Sequence, residues 1–241
     1  TFYCITMSNI PTEFYPEIAA CEAQWEEWKM LLRIDEEDAS LFTTGKGKKD
    51  RRMEFLKTRP TLVLDTRNFS LGPSIGAGQS FTDRLLACFD DLDEATDGLL
   101  VNSENWQALN LLTEKYREHV RCIYIDPPYN TGNDGFIYRD NYQYASWITM
   151  LTERMRLAKI IGKPNCAFLA SIDDTSVDFL RTIYHGLYGR DGFVGNFVWR
   201  RRITSSMAQS WISTDHEYVM AFSTCPEKVE IAGIERDQSK Y

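Results

Sequence analysis

The sequence predicts an α/β fold: a mostly parallel sheet flanked by helices. Three observations carry that prediction. From Gly98 onward, apolar runs of strand length alternate with helical stretches of roughly 10–15 residues, the pattern of right-handed crossovers between parallel strands. The apolar runs end in polar clusters, as they do in open parallel sheets, which bind ligands outside the carboxyl ends of their strands. The 241 residues, 43% hydrophobic and 26% charged, have the balance of a soluble globular chain with a sizeable core.

The elements follow in order. EIAACEAQWEEWKMLLR, residues 17–33, places Ile18, Cys21, Trp25, Trp28 and Leu32 at helical spacing, with acidic residues and Lys29 on much of the other face. Such a stripe faces a core or a partner. TTGKGKKDRR, residues 43–52, is basic and has little to bury, so it reads as a solvated loop or linker, with a DNA contact as the lesser alternative. TLVL, residues 61–64, is a short strand; LGPSIGAGQS supplies turn chemistry; FTDRLLACFDDL, residues 81–92, is a helix ended by an acidic run. This divides the chain into a helical region with basic linker over 1–58, a connecting segment over 59–97 and an α/β domain over 98–241. Within the last, GLLV is a strand, SENWQALNLLTEKYR a helix and CIYID a strand. A helix over about residues 145–161, the strand NCAFLASID, the helix DTSVDFLRTIYHGL and the strands NFVWRR and EYVMAFS complete it.

The net charge of −8 argues against bulk electrostatic attachment to nucleic acid but leaves room for a local basic site. The six cysteines show no C-x-x-C pair and no metal-ligand spacing, which points to a reducing, cytoplasmic setting and to no metal. His119, His185 and His216 are scattered and read as structural. No apolar run approaches the roughly 18 residues of a membrane span, and no signal peptide opens the chain, so no membrane association is expected. Gly76-Ala77-Gly78-Gln79-Ser80-Phe81 lacks a third glycine and a feeding strand, so it is not read as a dinucleotide loop.

The informative segment is Asp126-Pro127-Pro128-Tyr129 at the end of CIYI. Two prolines remove two backbone donors and fix two φ angles, making a stiff turn. That turn presents a carboxylate, a bare carbonyl and an aromatic face together, a combination suited to a planar ligand bearing an amino group. Asp126 accepts one N–H, the Pro127 carbonyl the other, and Tyr129 stacks on the ring. The aromatics Phe136, Tyr138, Tyr142, Tyr144 and Trp147 suit the lining of a base pocket or a core; most read as core, and Phe136 and Tyr138, in the loop, keep the pocket reading. Asp173 and Asp174 either cap the helix after them or meet a cofactor. Arg200, Arg201 and Arg202, with Ser205, Ser206 and Gln209 nearby, form either a solvated strand end or a phosphate contact.

IYIDPPYNTGNDGF, residues 123–136, resembles the catalytic segment of adenine-specific DNA methyltransferases, above all the modification subunits of type III restriction–modification systems. The resemblance covers about residues 98–223 and extends weakly back through TLVLDTRNF. It implies a Rossmann-like methyltransferase fold that uses S-adenosyl-L-methionine and methylates N6 of an adenine flipped out of DNA. Asp126, Pro127, Pro128 and Tyr129 are then catalytic, and Glu104, Asn105, Asp126 and Asp173 meet the cofactor. Tyr129, Asn130, Phe136, Tyr138, Arg200, Arg201 and Arg202 meet the DNA substrate. The implied partners are double-stranded DNA and a restriction subunit or second methyltransferase chain. The family's glycine-rich cofactor loop does not occur before Tyr241. The resemblance therefore implies a partial catalytic domain, its remainder lying further along a longer protein or in another chain. A non-catalytic DNA-binding or assembly subunit with a degenerate or split fold is the alternative.

Overall fold

The computed structural model describes residues 1–69, 79–132, 141–201 and 215–231. The chain forms two compact units, Thr1–Leu99 and Leu100–Tyr241. The glycines at 76 and 78 lie outside the described residues.

The first unit contains β1 (Cys4–Thr6), α1 (Tyr15–Ala20), α2 (Glu22–Leu32), α3 (Ile34–Glu37), α4 (Lys48–Lys57), β2 (Val63–Asp65) and α5 (Phe81–Leu86). The single helix expected over 17–33 is two helices, because Cys21 adopts an extended ψ of 94° between them. At the break the Ile18 carbonyl accepts the Cys21 N–H at 3.2 Å and, beside it, the buried indole N–H of Trp25 at 3.0 Å. Trp25 and Trp28 meet edge to face, 5.2 Å apart, and enter the core as the stripe predicts, whereas Leu32 at the helix end is exposed. β2 pairs with β1 along one edge. Side chains of α2 serve two of its main-chain groups: Trp28 Nε1 donates to the Val63 carbonyl (2.7 Å) and Gln24 Oε1 accepts from Asp65 N–H (2.8 Å). An exposed strand edge is thereby denied to other chains.

The basic stretch expected as a loop is helical from Lys48 onward. Its charges are spent inside the unit. The Arg52 guanidinium, 1% exposed, lies 4.5 Å from the Trp25 ring centroid and donates to the carbonyls of Leu41 (2.9 Å) and Ala19 (3.1 Å) and to both oxygens of Glu22 (3.0 Å). Lys48 reaches the same carboxylate at 3.0 Å. Residue counting registers a run of cations; only packing shows that its last member is a core residue.

The second unit contains α6 (Asn105–Tyr116), β3 (Val120–Ile125), α7 (Tyr144–Ile161), β4 (Gly162–Ile172), α8 (Val177–Tyr188), β5 (Phe193–Arg200) and β6 (His216–Phe222). The strands lie in the order β3-β4-β6-β5. β3 and β4 pair in parallel, while β6 is antiparallel to both β4 and β5. β3, β4 and β5 therefore share one direction and β6 alone is reversed, so the α/β class stands with a reversed strand wedged beside β4. Trp147, Leu151 and Met155 of α7 and Leu180, Ile183 and Tyr184 of α8 pack on Phe168, Ala170, Ile172, Met220 and Phe222 of the sheet. Tyr184 stacks on Phe222 at 4.1 Å. One expectation fails: GLLV, residues 98–101, is not a strand, and Leu100 is 95% exposed. β3 ends the sheet order, and no described strand lies beside GLLV to complete a ladder. Among the described residues no helix is long and apolar enough to cross a membrane.

Removal of the buried guanidinium by Arg52→Ala strips donors from two main-chain carbonyls and from Glu22, and is expected to lower the unfolding free energy by about 3 kcal/mol. Urea denaturation checks this. Arg52 holds the Glu22 carboxyl below its ordinary value of 4.5, against the opposing effect of burial. A depressed carboxyl stabilises above its unfolded value, and that stability is lost as pH falls through the folded value. The acid-side decline below pH 4.5 should therefore be shallower in Arg52→Ala than in the wild type.

Candidate functional site

Because β3, β4 and β5 share a direction, their carboxyl ends lie along one edge of the sheet, and reversed β6 begins there. Ile125 pairs with Ala170, Ile172 with Tyr218 and Arg200 with His216. That edge gathers the residues that close β3, β4 and β5 with those that open β6.

The stiff turn stands at this edge, directly after Ile125. Asp126 is exposed, Pro127 buried, and Pro128, Tyr129 and Asn130 half-buried. Its carbonyls are distributed unequally. Trp147 Nε1 donates to the Pro128 carbonyl at 2.8 Å, and Ser176 Oγ donates to the Tyr129 carbonyl at 2.8 Å. Among the described residues the Pro127 carbonyl takes no hydrogen bond. Asn130 turns the chain with a left-handed φ of 61°. Its amide clamps the main chain of Tyr142, Oδ1 accepting from the N–H at 2.6 Å and Nδ2 donating to the carbonyl at 3.1 Å.

Burial first, then the Asp126 and Glu217 carboxylates, push the Tyr129 phenol far above its ordinary value of 10, while a hydrogen bond with Ser171 pulls the other way. Tyr129 therefore stays neutral across the range in which proteins work. Ser171 Oγ also shares a 2.6 Å hydrogen bond with the Tyr124 hydroxyl. Glu217 pairs with Arg201 at 3.2 Å. Tyr218 donates to Asp174 at 3.0 Å, and His216 Nε2 lies 2.9 Å from the same hydroxyl.

The other residues singled out from sequence fall as follows. Glu104 is the N-cap of α6: one carboxylate oxygen accepts from the N–H groups of Trp106 (2.9 Å) and Gln107 (3.2 Å), and the other pairs with Arg154 of α7. Asn105 is the first residue of that helix. Asp173 takes the N–H (3.0 Å) and hydroxyl (3.2 Å) of Thr175, shaping the turn into α8. Arg200 and Arg201 are exposed at the end of β5 and just beyond it. Phe136, Tyr138 and Arg202, with Ser205, Ser206 and Gln209, lie outside the described residues. Tyr144, expected in the core, is instead 43% exposed and stacks on Phe179 at 4.3 Å.

Sequence reasoning missed Ser171, Glu217, Tyr218 and, most of all, Ser176, and it read Trp147 as core or pocket lining rather than as a hydrogen-bond donor. Ser176 had a signal: it stands just before a helix, where a serine caps the helix with its own hydroxyl. Its hydroxyl makes no such cap and goes to Tyr129 instead.

A family model described as DNA methylase, covering N6 and N4 methyltransferases, matches residues 120–240, just over half of the chain. The Mod subunit of the probable type III restriction-modification enzyme HindVI of Haemophilus influenzae is 29% identical over 136 residues, which is 55% of this chain and 18% of that protein. The type III StyLTI Mod subunit of Salmonella typhimurium is 28% identical over 153 residues, 52% of this chain and 24% of that one. The type II methyltransferase M.KpnI of Klebsiella pneumoniae is 29% identical over 157 residues, 61% and 37% of the respective chains. This chain thus spans about a quarter or less of the two Mod subunits.

The Asn130 clamp separates backbone strain from hydrogen bonding. Asn130→Gly adopts the left-handed φ without a Cβ and loses the amide clamp. Asn130→Ala loses the same clamp and keeps a Cβ in a region disfavoured by about 1 kcal/mol, without the tolerance that asparagine has for it. Chemical denaturation should rank stability as wild type, then Asn130→Gly, then Asn130→Ala.

Proposed function

The chain belongs to this DNA methylase family, and from that premise we propose that it carries the catalytic corner of an enzyme that methylates N6 of adenine in DNA. Its setting is the modification component of a restriction–modification system, the role printed in the names of the Mod relatives. The observation that carries the reading is the corner itself: at the carboxyl end of β3, an exposed carboxylate at Asp126 stands next to the unengaged Pro127 carbonyl, with the Tyr129 ring two residues on.

An aromatic amine is a poor nucleophile because its lone pair is delocalised into the ring. Two acceptors on its hydrogens favour the pyramidal nitrogen and stabilise the positive charge that grows on it during attack. Asp126 and the Pro127 carbonyl are these acceptors, preorganised by the proline pair, and most of their effect is electrostatic and positional. Asp126 need not remove a proton before transfer. Tyr129, kept neutral, offers its ring face to the base. The target adenine leaves the duplex, since its amino group cannot reach a methyl donor while paired and stacked.

S-adenosyl-L-methionine, when bound, supplies the electrophilic methyl group. The donor set suits that group: its ammonium and sulfonium are cationic, and this edge carries the carboxylates of Asp126, Asp173, Asp174 and Glu217. Asp126 and Asp173 are the residues proposed to hold it here. Glu104 and Asn105 face the same role from the start of α6, with the Glu104 carboxylate already bonded to that helix and to Arg154. Arg200 and Arg201 are proposed to meet DNA phosphates, a contribution that fades with salt. Phe136, Tyr138 and Arg202 keep the roles in the base pocket and on DNA that the resemblance implies. Double-stranded DNA is the proposed substrate, a restriction subunit the proposed partner, and the cytoplasm the proposed location.

Full-length protein incubated with tritiated cofactor and unmodified genomic DNA is expected to form N6-methyladenine, detected by mass spectrometry of the nucleosides. Asp126→Ala should lower kcat by about 100-fold or more without shifting the melting temperature. Tyr129→Ala should lower kcat as much with some loss of stability, because its ring packs against the core. Near-normal transfer by Asp126→Ala would remove the assignment.

A further inference from the structure

We propose that Trp147 and Ser176 are positioning residues that decide which carbonyl of the corner is left to receive the amine of the target base; this rests on the methyltransferase reading above. Three carbonyls follow one another, from Pro127, Pro128 and Tyr129. A substrate amine that met the wrong one would sit one residue away from its place beside Asp126. The two downstream carbonyls are closed off by side chains distant in sequence, Trp147 from the first turn of α7 and Ser176 from the entrance to α8.

Both donors are fully buried. A buried N–H or O–H is costly to leave unpaired, so each of these bonds fixes its carbonyl in place as firmly as it fixes the donor. Two features show commitment to this arrangement. Ser176 holds the N-cap position of α8 yet gives its hydroxyl to Tyr129 rather than to its own helix. Pro127 and Pro128 carry no N–H, so this stretch of the turn cannot be held through its own donors, and outside donors must set it. The Trp147 ring is anchored in the core between the two helices and the sheet, which transmits their positions to the corner.

The test uses the full-length protein, tritiated S-adenosyl-L-methionine and unmodified genomic DNA. Trp147→Phe keeps an aromatic ring in the core while removing the indole N–H together with part of the ring's volume; Ser176→Ala removes one oxygen. A misplaced acceptor acts on the chemical step, so Trp147→Phe should lower kcat by about 10- to 100-fold and Ser176→Ala by about tenfold, with KM for cofactor and DNA within about twofold of wild type. If Trp147→Phe fails to fold, as judged by thermal unfolding, Ser176→Ala decides alone. Wild-type kcat in the folded variants, or a loss confined to KM, overturns the inference while leaving the functional reading intact. A wild-type protein that transfers no methyl group defeats that reading, and the inference with it.

Discussion

Two prolines in succession take two donors out of the chain where β3 leaves the sheet, and the carbonyls beside them must then be satisfied from elsewhere or stay open to a ligand. The architecture around the functional edge follows from how that debt is met. Trp147 is buried because its indole both fills the core and answers Pro128; Ser176 forgoes its own helix to answer Tyr129. Asn130 adopts a left-handed conformation because its amide must face the main chain of Tyr142. What takes no donor among the described residues is the Pro127 carbonyl, which stands beside the exposed carboxylate of Asp126.

The same accounting organises the first unit. There Gln24 and Trp28 serve main-chain groups of a short strand, and one buried guanidinium bridges two helix-terminal carbonyls and a carboxylate. In both units, side chains that read as hydrophobic or as surface charge turn out to be donors to buried main-chain oxygens.

The alternation of strands and helices beyond Gly98 was legible almost throughout, because each apolar run has the period and length of its element. The exceptions share a cause. GLLV has the composition of a strand, but a strand exists only if another lies beside it, and periodicity carries no information about neighbours. The 43–52 stretch has the composition of a linker, but Arg52 found carbonyls and an indole to bury against. Cys21 interrupts an otherwise regular helical stripe, and the interruption serves the Trp25 indole, a contact invisible in a one-dimensional pattern.

At the functional edge the division is sharper. The order Asp-Pro-Pro-Tyr by itself determined a rigid turn with a carboxylate, a carbonyl and a ring in close succession, since proline geometry is local and needs no context. Which of the turn's carbonyls remains open was decided only by the tertiary structure. That outcome depends on Trp147 and Ser176, 19 and 47 residues from the carbonyls they bind, arriving at hydrogen-bonding distance through the packing of two helices on a sheet. A hydrogen bond requires two partners at about 3 Å, and sequence specifies each partner without specifying their meeting.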